Sequence, residues 1–212
     1  MIGYIAQTTD LLRRTPEVLR ALLRDLPDEW TQTPDTEGGW RPRDVIGHLI
    51  TGELTDWLER TQRILEHASA VPFDRFERFA HAERDRDATL DELLDRFAEL
   101  RAGNLARFDE LVSEADLDRR GMHPSLGEVT LRQLLSTWAV HDLDHIAQVF
   151  AGMAGSHDAD VGRFLKLFTD LPLDEKNLTV QLSNQTPLEP MNDRDFFAQM
   201  AQLGQVFGRE GI

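Results

Sequence analysis

Apolar residues recur every three or four positions along much of this chain, which is the spacing that places them on one face of an α-helix. The first such stretch predicts a short helix over residues 4–14, and then a second helix that begins at Thr15 and Pro16 and runs to Leu26. We expect a new helix there because threonine caps helices well and proline is favoured at the first helical position.

Three longer helices follow from the same spacing. Pro42 opens a helix that is predicted to reach about His67. Two more begin with a capping box, in which a threonine and the residue three positions later bond each other's backbone N–H groups. These boxes are Thr89 with Glu92, for a helix ending near Val112, and Thr130 with Gln133, for a helix ending near Gly152.

The remaining stretches predict connections and shorter elements. Residues 27–39 and 114–129 are longer connections than an up-and-down bundle needs, so we expect crossovers or loops that cover a site. After the helix that begins at Thr130, the pattern predicts a short helix over residues 158–169. An irregular connection follows over residues 172–190, with at most one short strand at residues 178–182, and Asn192 is predicted to cap a last amphipathic helix.

No stretch alternates apolar and polar residues over several segments, and no repeat of 20 to 50 residues is present, which argues against sheets and solenoids. The predicted fold class is therefore all-α. We expect a four-helix bundle with short extra helices over residues 1–170, and a C-terminal extension over residues 171–212 that ends in the amphipathic helix.

Composition narrows the choice of partners. The formal net charge of -15 repels phosphate backbones and anionic lipid headgroups, so we expect neither nucleic acid nor a membrane as a partner. Without a signal peptide pattern or a run of roughly 20 apolar residues, the chain is expected to be cytoplasmic. The absence of cysteine excludes Cys-ligated zinc and thiol nucleophiles, so any thiol chemistry would need an external thiol.

A pair of histidines on the helix that begins at Thr130 is the first candidate for a functional site. His141 and His145 are four residues apart, which places both imidazoles on one helix face. Leu134, Trp138 and Val149 share that face, so the pair is expected to point into the bundle. A metal ion would satisfy both rings, but hydrogen bonds to a carbonyl or a carboxylate would also do so, and the spacing leaves both open. His48 lies at the margin of an apolar helix face, where a lone histidine is more often structural than a ligand.

Three sequence pieces resemble the DinB-like superfamily of four-helix metal proteins. They are Gly39-Trp40, the segment from Arg43 to Leu49 with Glu53 after it, and the segment from Thr130 to His145 with its His-x-x-x-His spacing. The resemblance covers residues 15–152 and implies that His48, His141 and His145 bind one divalent ion, usually zinc or nickel. It also implies relatives that are thiol S-transferases, which use a low-molecular-weight thiol as co-substrate.

Three histidine ligands leave at least one coordination position open, which is typical of catalytic rather than structural zinc sites. The ion could activate water or hold an external thiolate. Carboxylates often accept the far N–H group of a metal-bound histidine, and the nearest in sequence are Asp44, Glu53, Asp142 and Asp144. Glu53 is the main candidate for this supporting role, although a position at the solvated edge of its helix is equally reasonable. For Asp142 and Asp144 we favour positions on the solvated face of their helix. His67, His81, His123 and His157 are expected not to be ligands.

Two classes of function remain open. The first is a metal-dependent enzyme, a thiol S-transferase or a hydrolase, that acts on a small molecule. The second is a non-catalytic helical binding or stress-response module with a structural metal or no metal. The apolar face of the predicted last helix must also be covered, either by the bundle or by a second copy of the chain, and we expect a homodimer. That face consists of Phe196, Phe197, Met200, Leu203 and Phe207.

Overall fold

The long helices follow each other largely in the order that the apolar pattern predicts. The computed structural model describes residues 3–157 and residue 160, and the structural statements here concern those residues. The elements are α1 (Tyr4–Leu23), α2 (Pro42–Thr55), α3 (Trp57–His67), α4 (Ala80–Arg84), α5 (Leu90–Leu111), β1 (Arg120–His123), β2 (Gly127–Thr130) and α6 (Leu131–Gly155), with single turns of 3-10 helix at Asp28–Trp30, Ala68–Ala70 and Glu114–Asp116. Within the described part of the chain no helix has the length and apolar character needed to cross a membrane.

Both predicted capping boxes are present at the starts of α5 and α6. The Thr89 hydroxyl accepts from the backbone N–H of Glu92 at 3.3 Å, and the Glu92 carboxylate accepts from the backbone N–H of Thr89 at 2.8 Å. Thr130 and Gln133 make the same two bonds, at 3.2 and 2.8 Å. These boxes satisfy N–H groups that the first helical turn leaves without partners, so the positions of both helix starts are confirmed.

The predicted start of a new helix at Thr15 and Pro16 is wrong, because α1 continues through Pro16. Proline has no N–H group, so it cannot donate to the carbonyl of Leu12 four residues earlier. That carbonyl instead accepts a hydrogen bond of 2.8 Å from Arg101 on α5. A tertiary contact thus replaces the helical bond that proline removes, and the helix is not forced to end.

The single long helix predicted from Pro42 to His67 is divided at Asp56 into α2 and α3. Asp56 has φ -121° and ψ -77°, outside the helical region. The turn brings the Trp57 indole against Gly52, where a Cβ atom would lie 2.8 Å from Trp57 Nε1. Apolar spacing continues on both sides of the turn, which is why the pattern did not reveal it.

A two-stranded antiparallel hairpin lies within the connection that was predicted only as a long loop. Gly121 of β1 pairs with Val129 of β2, and Gly127 at the turn has a φ of +78°, which glycine adopts without strain. Strands of four residues are too short to show alternation convincingly in the sequence. The hairpin packs its Gly121 on Ile64 and Phe73, so it covers one end of α3.

The bundle interior has two apolar clusters formed by α1, α2, α3, α5 and α6. One contains Leu12, Trp57, Leu105, Phe108, Leu135 and Trp138, and the other contains Leu19, Val45, Ile46, Ile50, Phe97 and Val149. On α2, α5 and α6, buried ionisable residues lie in the chain between members of the two clusters. They are Glu53 on α2, Arg101 on α5, and Asp142 and His145 on α6. We call Glu53, Arg101 and Asp142 the buried ion network.

Several predicted elements lie outside the described residues. They are the short helix at residues 158–169, apart from residue 160, the connection and strand at residues 172–190, and the amphipathic helix after Asn192. The division into residues 1–170 and 171–212 stays a prediction for the same reason.

Candidate metal centre

Three imidazoles from two helices meet inside the bundle. His48 of α2 and His145 of α6 each direct Nε2 at His141 Nε2, at 3.1 and 3.2 Å. One ligand atom from each of the three residues lies within 4.8 Å of the other two. The structure thus brings together the three residues singled out from the sequence, which we call the histidine cluster. It is the only group of this kind among the residues that the structure describes.

Gln148 determines which nitrogen of His145 faces the cluster. Its amide nitrogen donates to Asp35 at 3.1 Å, and its amide oxygen lies 2.8 Å from His145 Nδ1. Because an amide oxygen only accepts, Nδ1 of His145 must carry the proton. The neutral ring therefore presents the lone pair of Nε2 to the cluster, as a metal ligand must.

A backbone carbonyl does the same for His48. Its Nδ1 lies 3.3 Å from the carbonyl oxygen of Arg78, which cannot donate, so Nε2 again carries the lone pair. The same carbonyl accepts from His81 Nδ1 at 3.2 Å. Gly47 allows α4 to approach α2 this closely, since a Cβ atom there would lie 3.0 Å from His81 Cβ.

The cluster histidines are held in the neutral form. The pKa of His48 and of His141 is well below the ordinary value, first because both rings are buried and then because neighbouring imidazoles and Arg78 disfavour a further positive charge. Burial also lowers the pKa of His145, although the charge of Asp144 and the bond to Gln148 act in the opposite direction. Neutral imidazole is the form that binds a metal ion.

The donor set fits a divalent ion. Ligand nitrogens about 2.0–2.1 Å from a tetrahedral zinc ion are roughly 3.3 Å apart, close to the two Nε2 separations in the cluster. Without an ion, His141 Nε2 can donate its proton to only one of the two lone pairs that face it, so another lone pair is left unsatisfied. His141 Nδ1 is buried and has no hydrogen-bond partner among the described residues. An ion between the three rings would accept every lone pair at once.

The buried ion network lies beside the cluster. Arg101 contacts Glu53 at 2.8 Å and Asp142 at 2.6 Å, and it also donates to the Leu12 carbonyl of α1. Asn104 and the Trp138 indole donate to the Glu53 carboxylate as well. Burial raises the pKa of Glu53, and the charge of Arg101 opposes that rise. A single side chain of α5 thereby connects α1, α2 and α6.

Of the four carboxylates expected near the metal ligands, three have other partners and one is exposed. Glu53 and Asp142 are buried, so a solvated position is wrong for both, but their oxygens accept from Arg101 rather than from an imidazole. Asp44 is the capping partner of Arg41 at the start of α2, and Asp144 is exposed. The groups that accept from cluster histidines are instead the Gln148 amide and the Arg78 carbonyl, which no sequence motif indicated.

Aromatic side chains surround the cluster. The centroid of the Trp40 ring lies 4.7 Å from that of His48 and 6.2 Å from that of His145. Phe76 packs edge-on against His48, with 5.3 Å between ring centroids. Trp57 packs against His141, with 5.2 Å between ring centroids. Buried His81 also contacts Trp40 and His48, a position that its loop sequence did not reveal. The sequence indicated Trp40 only through the Gly-Trp motif.

The remaining histidines have structural positions. His123 Nδ1 accepts from two backbone N–H groups at the hairpin turn, at 3.1 and 3.2 Å. His67 is the last residue of α3, and His157 packs on Trp30 at 3.6 Å between ring centroids. None of them, and not His81, belongs to the candidate metal group within the described residues.

The fold and site define a mainly helical bundle protein with a buried three-histidine centre. The family model described as the DinB superfamily matches residues 11–149, so this chain belongs to the DinB superfamily. A second family model, for the N-terminal region of the flagellar hook capping protein, matches residues 151–212, most of which lie outside the described residues.

Related proteins carry names that refer to metal-dependent chemistry. A Geobacillus kaustophilus protein is 30% identical over 156 residues, covering 69% of this chain and 83% of its own length. A Bacillus licheniformis protein is 27% identical over 148 residues, covering 66% and 80%. Both are provisionally named metal-dependent hydrolases.

A solved structure has the same fold. It is that of YfiT from Bacillus subtilis, which is described as having an unusual four-helix bundle topology and, provisionally, as a metal-dependent hydrolase. The TM-score is 0.61 with 20% sequence identity, and the likeness covers 76% of this chain and 90% of YfiT. At this identity the likeness shows a shared fold.

Proposed function

We propose that this chain is a metal-dependent hydrolase that binds one zinc or nickel ion through Nε2 of His48, His141 and His145. The observation that carries the proposal is the convergence of the three Nε2 atoms, two of which must present lone pairs. The names of the relatives support the reaction class. A divalent ion with an open position lowers the pKa of bound water to about 7 and so supplies a nucleophile at neutral pH.

The residues of this chain have distinct tasks in such a site. The three imidazoles bind the ion, and their low pKa values keep them available as ligands. Gln148 and the Arg78 carbonyl hold two of the rings in the required tautomer. Trp40, Phe76 and Trp57 surround the rings and exclude water from the sides of the site, which strengthens electrostatic interactions there.

Metal analysis of protein purified without a histidine tag tests the first part of the proposal. We expect about one zinc or nickel ion per chain, with loss of that ion in His141→Ala. His67→Ala is the matched control, because His67 is half exposed at the end of α3 and lies outside the cluster. Absence of bound metal in both the unchanged protein and the control contradicts the proposal.

Thiol S-transfer is the second candidate reaction. The observation that favours it is the combination of an open coordination position with a chain that has no cysteine, so that a thiolate would come from a co-substrate. The metal-loaded protein should be assayed against chromogenic esters, amides and phosphoesters, and separately with low-molecular-weight thiols and an electrophile. Turnover that requires a thiol favours S-transfer, and turnover without one favours hydrolysis. The expected homodimer and cytoplasmic location stay predictions, the first of which a mass measurement in solution tests.

A further inference from the structure

The loop that joins α1 to α2 contacts the histidine cluster at two points. Trp40, near the end of the loop, packs on His145 with 6.2 Å between ring centroids. Asp35, within the loop, accepts a hydrogen bond of 3.1 Å from the amide nitrogen of Gln148, whose amide oxygen lies 2.8 Å from Nδ1 of His145. The loop therefore reaches a ring of the cluster through one side chain of α6.

Two glycines allow Asp35 to take this position. Gly152 lies one turn after Gln148 on α6, and a Cβ atom there would lie 2.9 Å from the carbonyl oxygen of Thr33, so the loop backbone packs directly on the helix. Gly39 lies against the Asp35 carboxylate, where a Cβ atom would clash with Oδ1. Within the part of the chain that the structure describes, Oδ1 of Asp35 is buried without a hydrogen-bond partner, so no other donor competes there with Gln148 for the carboxylate.

The direction of the hydrogen bonds in this chain of groups depends on Asp35. A glutamine amide has a donor end and an acceptor end that a rotation exchanges, so Gln148 alone is compatible with either tautomer of His145. A carboxylate only accepts, so Asp35 selects the rotamer in which the amide nitrogen faces the loop and the amide oxygen faces the ring. Nδ1 of His145 then carries the proton, and Nε2 presents its lone pair to the cluster.

We propose that Asp35 is a positioning residue of the metal site, which acts through Gln148 to keep the Nε2 lone pair of His145 directed at the ion. Hydrogen bonds in such a chain polarise one another, so the charge of Asp35 also makes Nε2 a stronger electron donor. This inference rests on the proposed function, because the ion is the partner that needs the lone pair. It implies that zinc affinity depends on a loop that carries no metal ligand.

NMR of the isotope-labelled full-length protein without metal tests the proposal directly, because long-range proton–nitrogen correlations show which ring nitrogen of a neutral imidazole carries the proton. We expect His145 of the unchanged protein to carry it on Nδ1. In Asp35→Asn the new amide can donate to the Gln148 oxygen, so the reversed chain becomes available and a measurable share of His145 should carry the proton on Nε2. Glu37→Gln is the matched control, since it removes an exposed carboxylate from the same loop and should leave the tautomer unchanged.

Zinc affinity in a chelator competition gives the second readout. Asp35→Asn should bind zinc about tenfold more weakly, the effect typical of changing a group that orients a metal ligand. Gln148→Glu should weaken zinc binding while Asp35 is present, because two carboxylates then face each other. In Asp35→Asn the same change should strengthen it, since the new amide donates to the new carboxylate. An effect of charge alone gives Gln148→Glu the same sign in both backgrounds, so the change of sign identifies a directed hydrogen-bond chain.

The outcomes separate this inference from the proposed function. If the unchanged protein binds no zinc, the metal site is wrong and the role of Asp35 falls with it. If zinc binds, either an unchanged tautomer or an unchanged zinc affinity in Asp35→Asn overturns the role of Asp35 alone. Should Asp35→Asn not fold, Gly39→Ala takes its place, because the added Cβ atom displaces the same carboxylate, and an unchanged tautomer there overturns the inference.

Discussion

Replacing Arg101 by methionine is expected to destabilise the bundle more than any surface substitution. Arg101 is 1% exposed and bonds Glu53, Asp142 and the Leu12 carbonyl, so its removal leaves two buried carboxylates and one carbonyl without this partner. Removing one partner of a buried ion pair costs about 3–5 kcal/mol, and an unsatisfied buried carbonyl adds roughly 1 kcal/mol or more. A domain of this kind has about 5–15 kcal/mol in total, so the loss is a large part of its stability.

Urea unfolding followed by circular dichroism measures this loss, and a chelator must be present so that bound metal does not contribute to stability. Arg101→Lys is the matched variant, because it keeps a positive charge but cannot reach all three acceptors, and a smaller loss is expected. Adding Glu53→Leu and Asp142→Leu to Arg101→Met should recover part of the loss, since the uncompensated charges are then gone. A loss below about 1 kcal/mol in Arg101→Met, the size typical of an exposed pair, would refute this account.

Three further predictions concern the site and the packing. Gln148→Leu should weaken metal binding about 10- to 100-fold in a chelator competition, because it removes the acceptor that orients His145, and an unchanged affinity would contradict that role. The pKa values of the cluster histidines lie below the value of 6.5 in the unfolded chain, so the unfolded chain takes up protons first as the pH falls. The unfolding free energy of the protein without metal, in the presence of a chelator, should therefore decrease below pH 6.5. Urea midpoints measure this dependence, and His48→Gln should make it less steep. Gly121→Ala should destabilise the protein by about 1–3 kcal/mol in thermal unfolding, because the new Cβ atom would lie 2.7 Å from Phe73 Cζ. Gly103→Ala should instead stabilise it by about 0.5–1 kcal/mol, since a Cβ atom there meets open space in the middle of α5. Effects of the same sign in both variants would argue against the described packing.

Features that depend on residues close together in the chain were predictable. The Thr89 and Thr130 capping boxes are complete within four residues, so both helix starts were found from the sequence. The four-residue spacing of His141 and His145 placed both rings on one face for the same reason. The resemblance to the DinB superfamily added His48, whose position on the helix by itself favoured a structural role.

Features that depend on a distant partner were not predictable. The proline at position 16 looks like a helix start, and only the bond from Arg101 to Leu12 explains why α1 continues. Glu53 was predicted to be either a carboxylate of the metal site or a solvated residue at the helix edge, but in the structure it is buried and accepts from Arg101 of α5. His81 approaches the cluster because Gly47, which has no Cβ atom, lets α4 pack closely on α2.

The chain by itself thus determined most of the helices, the caps of α5 and α6, and the pair of imidazoles on one face of α6, because periodicity and capping are properties of neighbouring residues. The tertiary structure alone decided which nitrogen of each ring faces the others, since the partners of those rings are an amide held by Asp35 and a carbonyl in the loop before α4. Burial and charge depend on contacts between segments far apart in sequence, and no local pattern encodes them.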